Sequence, residues 1–153
     1  MEAKMTHREK AIEYFRAGYN CAQSVFAAFC DVTGYSEEQA LLISSSFGGG
    51  MGRMRETCGA VSAMFMVAGA LKGYTDISTD EPKKEHYERI QKMAAEFRAE
   101  HGTITCRELL VTLKPTSTPT PSARTEEYYR VRPCVRFVAT AADILDRMIA
   151  GEF

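Results

Sequence analysis

The sequence has no surplus of charge of either sign, since 19 lysines and arginines face 20 aspartates and glutamates. Nucleic acids and anionic membranes attract proteins through an excess of basic charge, so we expect neither to be a partner of this chain. Long apolar runs are absent too. The most apolar stretch, residues 59–71, has thirteen residues, which is fewer than the ~20 that a membrane-spanning helix needs. It therefore predicts a buried core helix.

The N-terminus has no apolar stretch behind its first charged residues, so it does not resemble a signal peptide. We therefore expect a cytoplasmic protein, whose thiols lie in a reducing compartment. In such a compartment, cysteines serve as metal ligands, take part in redox chemistry or are simply buried, and they rarely form permanent disulfides. The odd number of cysteines, five, also argues against a fully disulfide-bonded framework.

Strand-like alternation is absent as well, and helical periodicity dominates. The 153 residues predict one all-α domain, 1–153, of about six to seven helices. Asn20 with Gln23, and Ser36 with Gln39, have the spacing of capping boxes, which marks two helix starts. The segment 114–125 contains three prolines among serines and threonines, which predicts a flexible loop. The predicted helices cover residues 6–17, 20–34, 36–46, 58–72, 80–102, 106–113 and 133–150.

Four of the five cysteines share one kind of position. Each follows a residue that commonly starts a helix, so each thiol should lie in the first turn of a helix. Unpaired backbone amides and the positive end of the helix dipole favour negative charge there, and first-turn cysteines have lowered pKa values. A thiolate is both the nucleophile of disulfide exchange and the ligand for iron or zinc. The four are Cys21, Cys58, Cys106 and Cys134.

The spacing of these cysteines does not by itself indicate a metal site. Separations of 37, 48 and 28 residues contain no Cys-x-x-Cys pair, and any one of the four would more often be a buried structural thiol. Their shared position favours a joint function, which requires the sulfurs to meet in space. Cys30 lies nine residues after Cys21, on another side of the same predicted helix, so we interpret it as an inert apolar side chain in mid-helix.

A glycine-rich basic segment precedes the second of these cysteines. Its glycines allow close approach of the backbone to a ligand, and its arginines would stabilise a thiolate or an anionic cluster. A plain turn between helices and a phosphate site at a helix start stay open as other interpretations. The nucleotide-binding motifs do not apply, because no strand precedes the segment and no Gly-Lys-Ser/Thr follows. The residues predicted to support the site or bind its cofactor are Gly49, Gly50, Gly52, Arg53 and Arg55.

Histidine chemistry is not indicated. His7, His86 and His101 show no pairing at ligand spacing, and we expect each of them at the solvated surface. No Ser-His-Asp order and no pair of carboxylates stands out either. The cysteines are therefore the main chemical signal of the sequence.

Three segments of the chain together resemble one protein family. They are residues 18–25, with Gly-Tyr-Asn-Cys-Ala-Gln-Ser-Val, residues 47–53, and residues 57–62, with Thr-Cys-Gly-Ala-Val-Ser. Later single cysteines at Cys106 and Cys134 complete the pattern. By these residues the chain is identified as a member of the redox-active family named for its cysteine pattern, C_GCAxxG_C_C. The resemblance implies a small helical protein with a redox function and, as one option, an iron–sulfur or other metal centre at the four matching cysteines.

We therefore predict that the four cysteines converge and form a centre for electron transfer. It would be either a metal or iron–sulfur site or a reversible dithiol–disulfide pair, and the sequence does not choose between them. It also leaves open whether the protein is an oxidoreductase or an electron carrier, and which redox partner it has. The alternative is a non-catalytic binding protein in which zinc or reduced thiols only stabilise the fold. The apolar, methionine-rich surface expected of short helices suggests a homodimer.

Overall fold

Helices form the regular structure of the chain. The computed structural model describes residues 4–153. Residues 1–3, the start of the segment that we predict not to be a signal peptide, lie outside the described residues. Within 4–153 we find no strand, only one isolated β-bridge, and the all-α prediction is confirmed. No helix in this range combines the length and the apolar character needed to cross a bilayer.

Nine helices lie within the described range. A further segment, Gly48–Met51, has helix-like hydrogen bonds, but Gly49 and Gly50 have φ angles of 66° and 70°. We therefore treat residues 48–56 as one unit, the glycine-rich loop. The helices are α1 (His7–Arg16), α2 (Cys21–Ala28), α3 (Cys30–Thr33), α4 (Glu37–Ser44), α5 (Gly59–Lys72), α6 (Glu81–His101), α7 (Cys106–Leu109), α8 (Glu126–Val131) and α9 (Cys134–Ile149), with 3-10 turns at Ser45–Phe47 and Val111–Leu113.

Side-chain caps fix the starts of two helices as the sequence predicts. The Asn20 side chain accepts a hydrogen bond from the backbone N–H of Gln23, and the Gln23 side chain accepts one from the N–H of Asn20. Ser36 and Gln39 repeat the arrangement at the start of α4. Both predicted capping boxes are confirmed. Because Asn20 directly precedes α2, the first capping box also fixes Cys21 as the first residue of that helix.

The core is built around α5, the predicted buried helix. Ala60, Val61, Met64 and Val67 on it have no exposed surface. This helix packs against α2 and α9, while α1 packs on the same two helices and α6 covers α5 and α9. The first residues of α2, α5 and α9 are thereby held close together.

The helix predicted over residues 20–34 is divided at Phe29, whose φ of −109° and ψ of 16° end α2. At this break the buried Phe29 ring stacks on the imidazole of His7, with ring centroids 4.1 Å apart. The prediction that Cys30 lies in mid-helix is therefore wrong, since Cys30 is the first residue of α3. It is half-buried and its pKa is raised, mainly by burial.

Other departures concern which side chains face inward. On α6, Met93 is buried, whereas Tyr87 is 52% exposed. The histidines are not simply solvated: His86 is buried. His7 contacts the carboxylates of Asp31 and Asp146. These ion-pairing and packing contacts join residues far apart in the chain, so local periodicity does not reveal them.

Candidate functional site

Four helix starts carry the predicted cysteines. Cys21, Cys106 and Cys134 are the first residues of α2, α7 and α9. Cys58 directly precedes α5 and is itself the N-cap of that helix. The Cys58 sulfur accepts hydrogen bonds from backbone N–H groups of Val61 and Ala60, which lie in the first turn of α5. The predicted first-turn position is confirmed for the other three cysteines, whereas Cys58 lies one residue before its helix.

These four cysteines line a single cavity of about 250 Å³, so they converge in space. Cys58 is 4% exposed, Cys106 and Cys134 are each 7% exposed, and Cys21 is half-buried. Cys30 is not among the lining residues. All five are free thiols. The predicted residues of the glycine-rich segment line the same cavity: Gly49, Gly50, Gly52, Arg53 and Arg55.

Backbone hydrogen bonds hold Cys58 beside Cys106 despite their separation in sequence. The N–H of Cys58 donates to the carbonyl of Ile104 at 2.8 Å, and the N–H of Cys106 donates to the carbonyl of Glu56 at 2.7 Å. Thr57 and Thr105 form the isolated antiparallel bridge between the same two segments. Two helix starts are therefore fixed side by side by main-chain contacts.

The glycine-rich loop folds against Cys106 through a run of left-handed backbone. Three of its non-glycine residues, Met51, Arg53 and Arg55, have positive φ angles of 67°, 69° and 61°, each a conformation that costs roughly 1–2 kcal/mol. At Gly50 a Cβ atom would lie 2.6 Å from the Cβ of Cys106. Only glycine fits there, so this residue serves close packing of the loop onto the thiol.

Cys21 and Cys134 line the same cavity, and their side chains act on each other's pKa. The interaction with the Cys21 thiol lowers the pKa of Cys134, and the positive charges of Arg132, Arg124 and Arg55 lower it further, against the opposing effect of burial. The same interaction, together with burial, raises the pKa of Cys21 well above its ordinary value. The first proton to leave this pair therefore leaves a Cys134 thiolate with a Cys21 thiol beside it.

The other two thiols are held in their neutral form. Burial raises the pKa of Cys58 to about 12, although backbone N–H groups at the start of α5 oppose it. Burial also raises the pKa of Cys106, and the Arg55 guanidinium counteracts only part of this effect. The expectation that first-turn position lowers all four pKa values is therefore wrong for three of them. In Cys58 and Cys106, burial favours the neutral thiol more strongly than the nearby N–H groups and positive charge favour the thiolate.

Arg55 brings a buried positive charge to the thiols. It is 3% exposed. Its Nη1 lies 3.6 Å from the Sγ of Cys106, and its Nε donates to the carbonyl of Thr116 at 2.8 Å. Its Nη2 is buried without a hydrogen-bond partner, as is the Nε of Arg53. The predicted proximity of these arginines to the cysteines is thus present in the structure.

The segment 114–125, predicted as a flexible loop, is irregular and covers the cavity. Pro119, Pro121 and Ser122 line it, together with Arg124. The guanidinium of Arg124 donates to two main-chain carbonyls near the end of α1, at 3.0 and 2.9 Å. This residue and Arg132, which also lines the cavity, were missed by the sequence analysis. Arg132 stands two residues before Cys134, and that proximity was the available signal.

The clustered cysteines, the glycine-rich loop and the covering segment all fall within one family match. Residues 19–148 match the family described as "Putative redox-active protein (C_GCAxxG_C_C)". The chain belongs to this family. No curated protein and no solved structure matches it. The description of the C_GCAxxG_C_C family names redox activity, and the residues and reaction of this chain have to be argued from the geometry.

The donor set of this C_GCAxxG_C_C chain, four thiols, is one that proteins use for zinc and for iron–sulfur clusters. Within residues 4–153, however, no three His, Cys, Asp or Glu side chains are grouped so that they could hold a metal ion. The unpartnered N–H of Arg55 suits an anionic group, which a thiolate-ligated cluster would be. The residues therefore fit a cluster in their chemistry, while their arrangement does not favour a single zinc ion. The metal-ligand role of the four cysteines stays a prediction.

Proposed function

We propose that the cavity is a dithiol–disulfide redox centre in which Cys21 and Cys134 are the reacting pair. The observation that carries this proposal is that both cysteines line one cavity, where each is the largest single influence on the pKa of the other. Neighbouring thiols in one cavity can be joined by a disulfide, whose sulfurs lie about 2.05 Å apart. The lowered pKa of Cys134 supplies the thiolate that such chemistry requires.

The reaction we propose is exchange with a disulfide, R–S–S–R, of a partner molecule. The Cys134 thiolate attacks one partner sulfur, the partner's S–S bond breaks and one R–S⁻ leaves. Cys21 then loses its proton and attacks the Cys134 sulfur, which forms the internal disulfide and releases the second R–S⁻. Two electrons pass to the partner. One proton from Cys21 and one from solvent convert the two thiolates to thiols.

An iron–sulfur cluster is the second candidate, and the number of thiols favours it, because a dithiol pair does not need Cys58 and Cys106. All four cysteines that line the cavity would hold the cluster. A bound cluster supplies transfer of single electrons. The contact between Arg55 and Cys106 would then adjust the reduction potential, because hydrogen bonds to ligand sulfurs do so.

Anaerobic purification tests these candidates against each other. The dithiol proposal expects a protein without iron or sulfide, in which five free thiols fall by two on treatment with a small-molecule disulfide and recover with a reductant. Cys21→Ser should lose only one thiol, because Cys134 then stops at the mixed disulfide with the reagent. Cys30→Ser, the matched control outside the cavity, should still lose two thiols.

A brown protein with iron and sulfide at the expected ratio would replace the dithiol proposal by the cluster. Colourless protein with one zinc per chain and no reversible loss of thiols would support the non-catalytic alternative. A loss of thiols that depends on Cys30 would contradict the pairing. The cytoplasmic location, the redox partner and the homodimer stay predictions that these measurements leave untouched.

A further inference from the structure

Four arginines line the cysteine cavity and bring positive charge without counterions. No aspartate or glutamate is among the lining residues. Within the described part of the chain, none of the four guanidinium groups takes part in a salt bridge. Their partners are thiol, hydroxyl and carbonyl groups, which carry no full charge while the thiols are protonated. The four are Arg53, Arg55, Arg124 and Arg132.

Two of these arginines also carry buried N–H groups without an acceptor. The Nη2 of Arg55 and the Nε of Arg53 are fully enclosed and find no hydrogen-bond partner among residues 4–153. Leaving a buried donor unpaired destabilises the folded protein, and more so when the group is charged. Burial lowers the pKa of Arg53, and the positive charges of Arg55 and Arg132 lower it further, so these arginines repel one another. Both donors suit an acceptor with negative charge.

The size of the cavity restricts that acceptor. Its volume of about 250 Å³ lies below the roughly 300–1,000 Å³ of pockets that take drug-sized ligands. The contact of Arg55 Nη1 with Cys106 Sγ, at 3.6 Å, places the unpaired donor of the same guanidinium next to a thiol. A small ligand held by this arginine would therefore lie among the cysteines.

We propose that Arg53 and Arg55 bind a small oxyanion, a carboxylate or a tetrahedral anion, beside Cys106 as the charged group of the redox substrate. This inference rests on the proposed function, because it names the substrate class of the same centre. A carboxylate or tetrahedral oxyanion offers two or more acceptor oxygens, which match the geometry of guanidinium donors. Substrate disulfides with such a group would be drawn to the Cys134 thiolate despite its negative charge.

Inorganic phosphate is the first probe, and the protein is used with its thiols reduced. Because a ligand that binds only the folded state stabilises it, phosphate should raise the melting temperature more than chloride does at equal ionic strength. It should also slow alkylation of Cys106, followed by mass spectrometry, and leave Cys30 outside the cavity unaffected. Melting that is the same in both salts, with unchanged alkylation of Cys106, would overturn the anion site.

Substitution then locates the site. Arg55→Gln should weaken phosphate binding by about tenfold or more, as expected for loss of a charged hydrogen bond. The half-buried Arg53 provides a second variant, Arg53→Gln, should the buried substitution prevent folding. Arg130→Gln is the control, because Arg130 is exposed and pairs only with Glu127 on the surface of α8. Equal phosphate binding by all folded variants would contradict the assignment.

A carboxylate-bearing disulfide tests whether the bound anion is part of the redox substrate or a free oxyanion. It should oxidise the protein faster than a neutral hydroxyl-bearing disulfide of equal length, and phosphate should reduce that advantage. Equal rates with intact phosphate binding would restrict the site to free oxyanions and overturn the substrate assignment. Phosphate binding without any reversible disulfide would reject the proposed function and leave the anion site standing. A reversible disulfide without phosphate binding would reject the anion site and leave the proposed function standing.

Discussion

Substitution of Gly50 by alanine tests whether the glycine-rich loop packs on Cys106 as described. The backbone of Gly50 is left-handed, with φ of 70°, and forcing a residue with a side chain into this region costs roughly 1–2 kcal/mol. The new Cβ would also lie 2.6 Å from the Cβ of Cys106 and 2.9 Å from the Cα of Arg55. Overpacking of this kind costs about 1–3 kcal/mol. The free energy of unfolding should therefore fall by about 2–5 kcal/mol.

Two other glycines provide controls for urea denaturation of Gly50→Ala. Gly52 has φ of +59° but no atom closer than 3.9 Å to its added Cβ, so Gly52→Ala should lose only the backbone cost of about 1–2 kcal/mol. Gly69 lies within α5 with nothing within 4 Å, and Gly69→Ala should stabilise the protein by about 0.5–1 kcal/mol. Equal losses of stability in Gly50→Ala and Gly52→Ala would refute the packing of the loop on Cys106.

Three further predictions concern charge and access. Arg132→Gln should raise the pKa of Cys134, so that the pH profile of its alkylation moves to higher pH; an unchanged profile would contradict the role of this charge. Arg124→Ala should release the covering segment and so speed alkylation of Cys134. The rate is measured at high pH, where the Cys134 thiol is ionised in both the variant and the wild type. An equal rate in the two proteins would show that the segment does not restrict access to Cys134. Burial would raise the pKa of Asp31, but the hydrogen bond and charge of His7 lower it below its ordinary value. The contact between His7 and Asp31 therefore stabilises the folded protein above about pH 4, and this stabilisation is lost as the pH falls through the lowered pKa of Asp31. Asp31→Asn should therefore be less stable than the wild type at pH 6 in chemical denaturation, and the difference should vanish at lower pH; a difference independent of pH would argue against the ion pair.

The helices could be predicted where the signal is local. The capping boxes at Asn20 and Ser36 involve residues three apart, and both form as expected. The break at Phe29 could not be predicted in this way, because its ring stacks on His7 from another helix. Nor was α8 predicted, since its six residues (Glu126–Val131) follow a proline-rich segment and are too few to show a helical period.

The candidate site could be predicted in its members but not in its electrostatics. Helix-start residues before the cysteines identified all four thiols, and the composition of the glycine-rich loop identified Arg53 and Arg55. The pKa values depend on burial and on the pairing of Cys21 with Cys134, which only the tertiary structure determines. Arg124 reaches the cavity because the segment 114–125 folds back over it, and no local pattern indicates that path.

Peptide mapping of the oxidised protein by mass spectrometry tests the central claim most directly. After limited treatment with a small-molecule disulfide and trapping of the remaining thiols, the peptides that contain Cys21 and Cys134 should be joined by a disulfide. Cys30, Cys58 and Cys106 should carry the trapping reagent. If Cys21 and Cys134 stay separately trapped while the protein is folded, or if either is joined to Cys30 instead, the proposed redox pair is wrong.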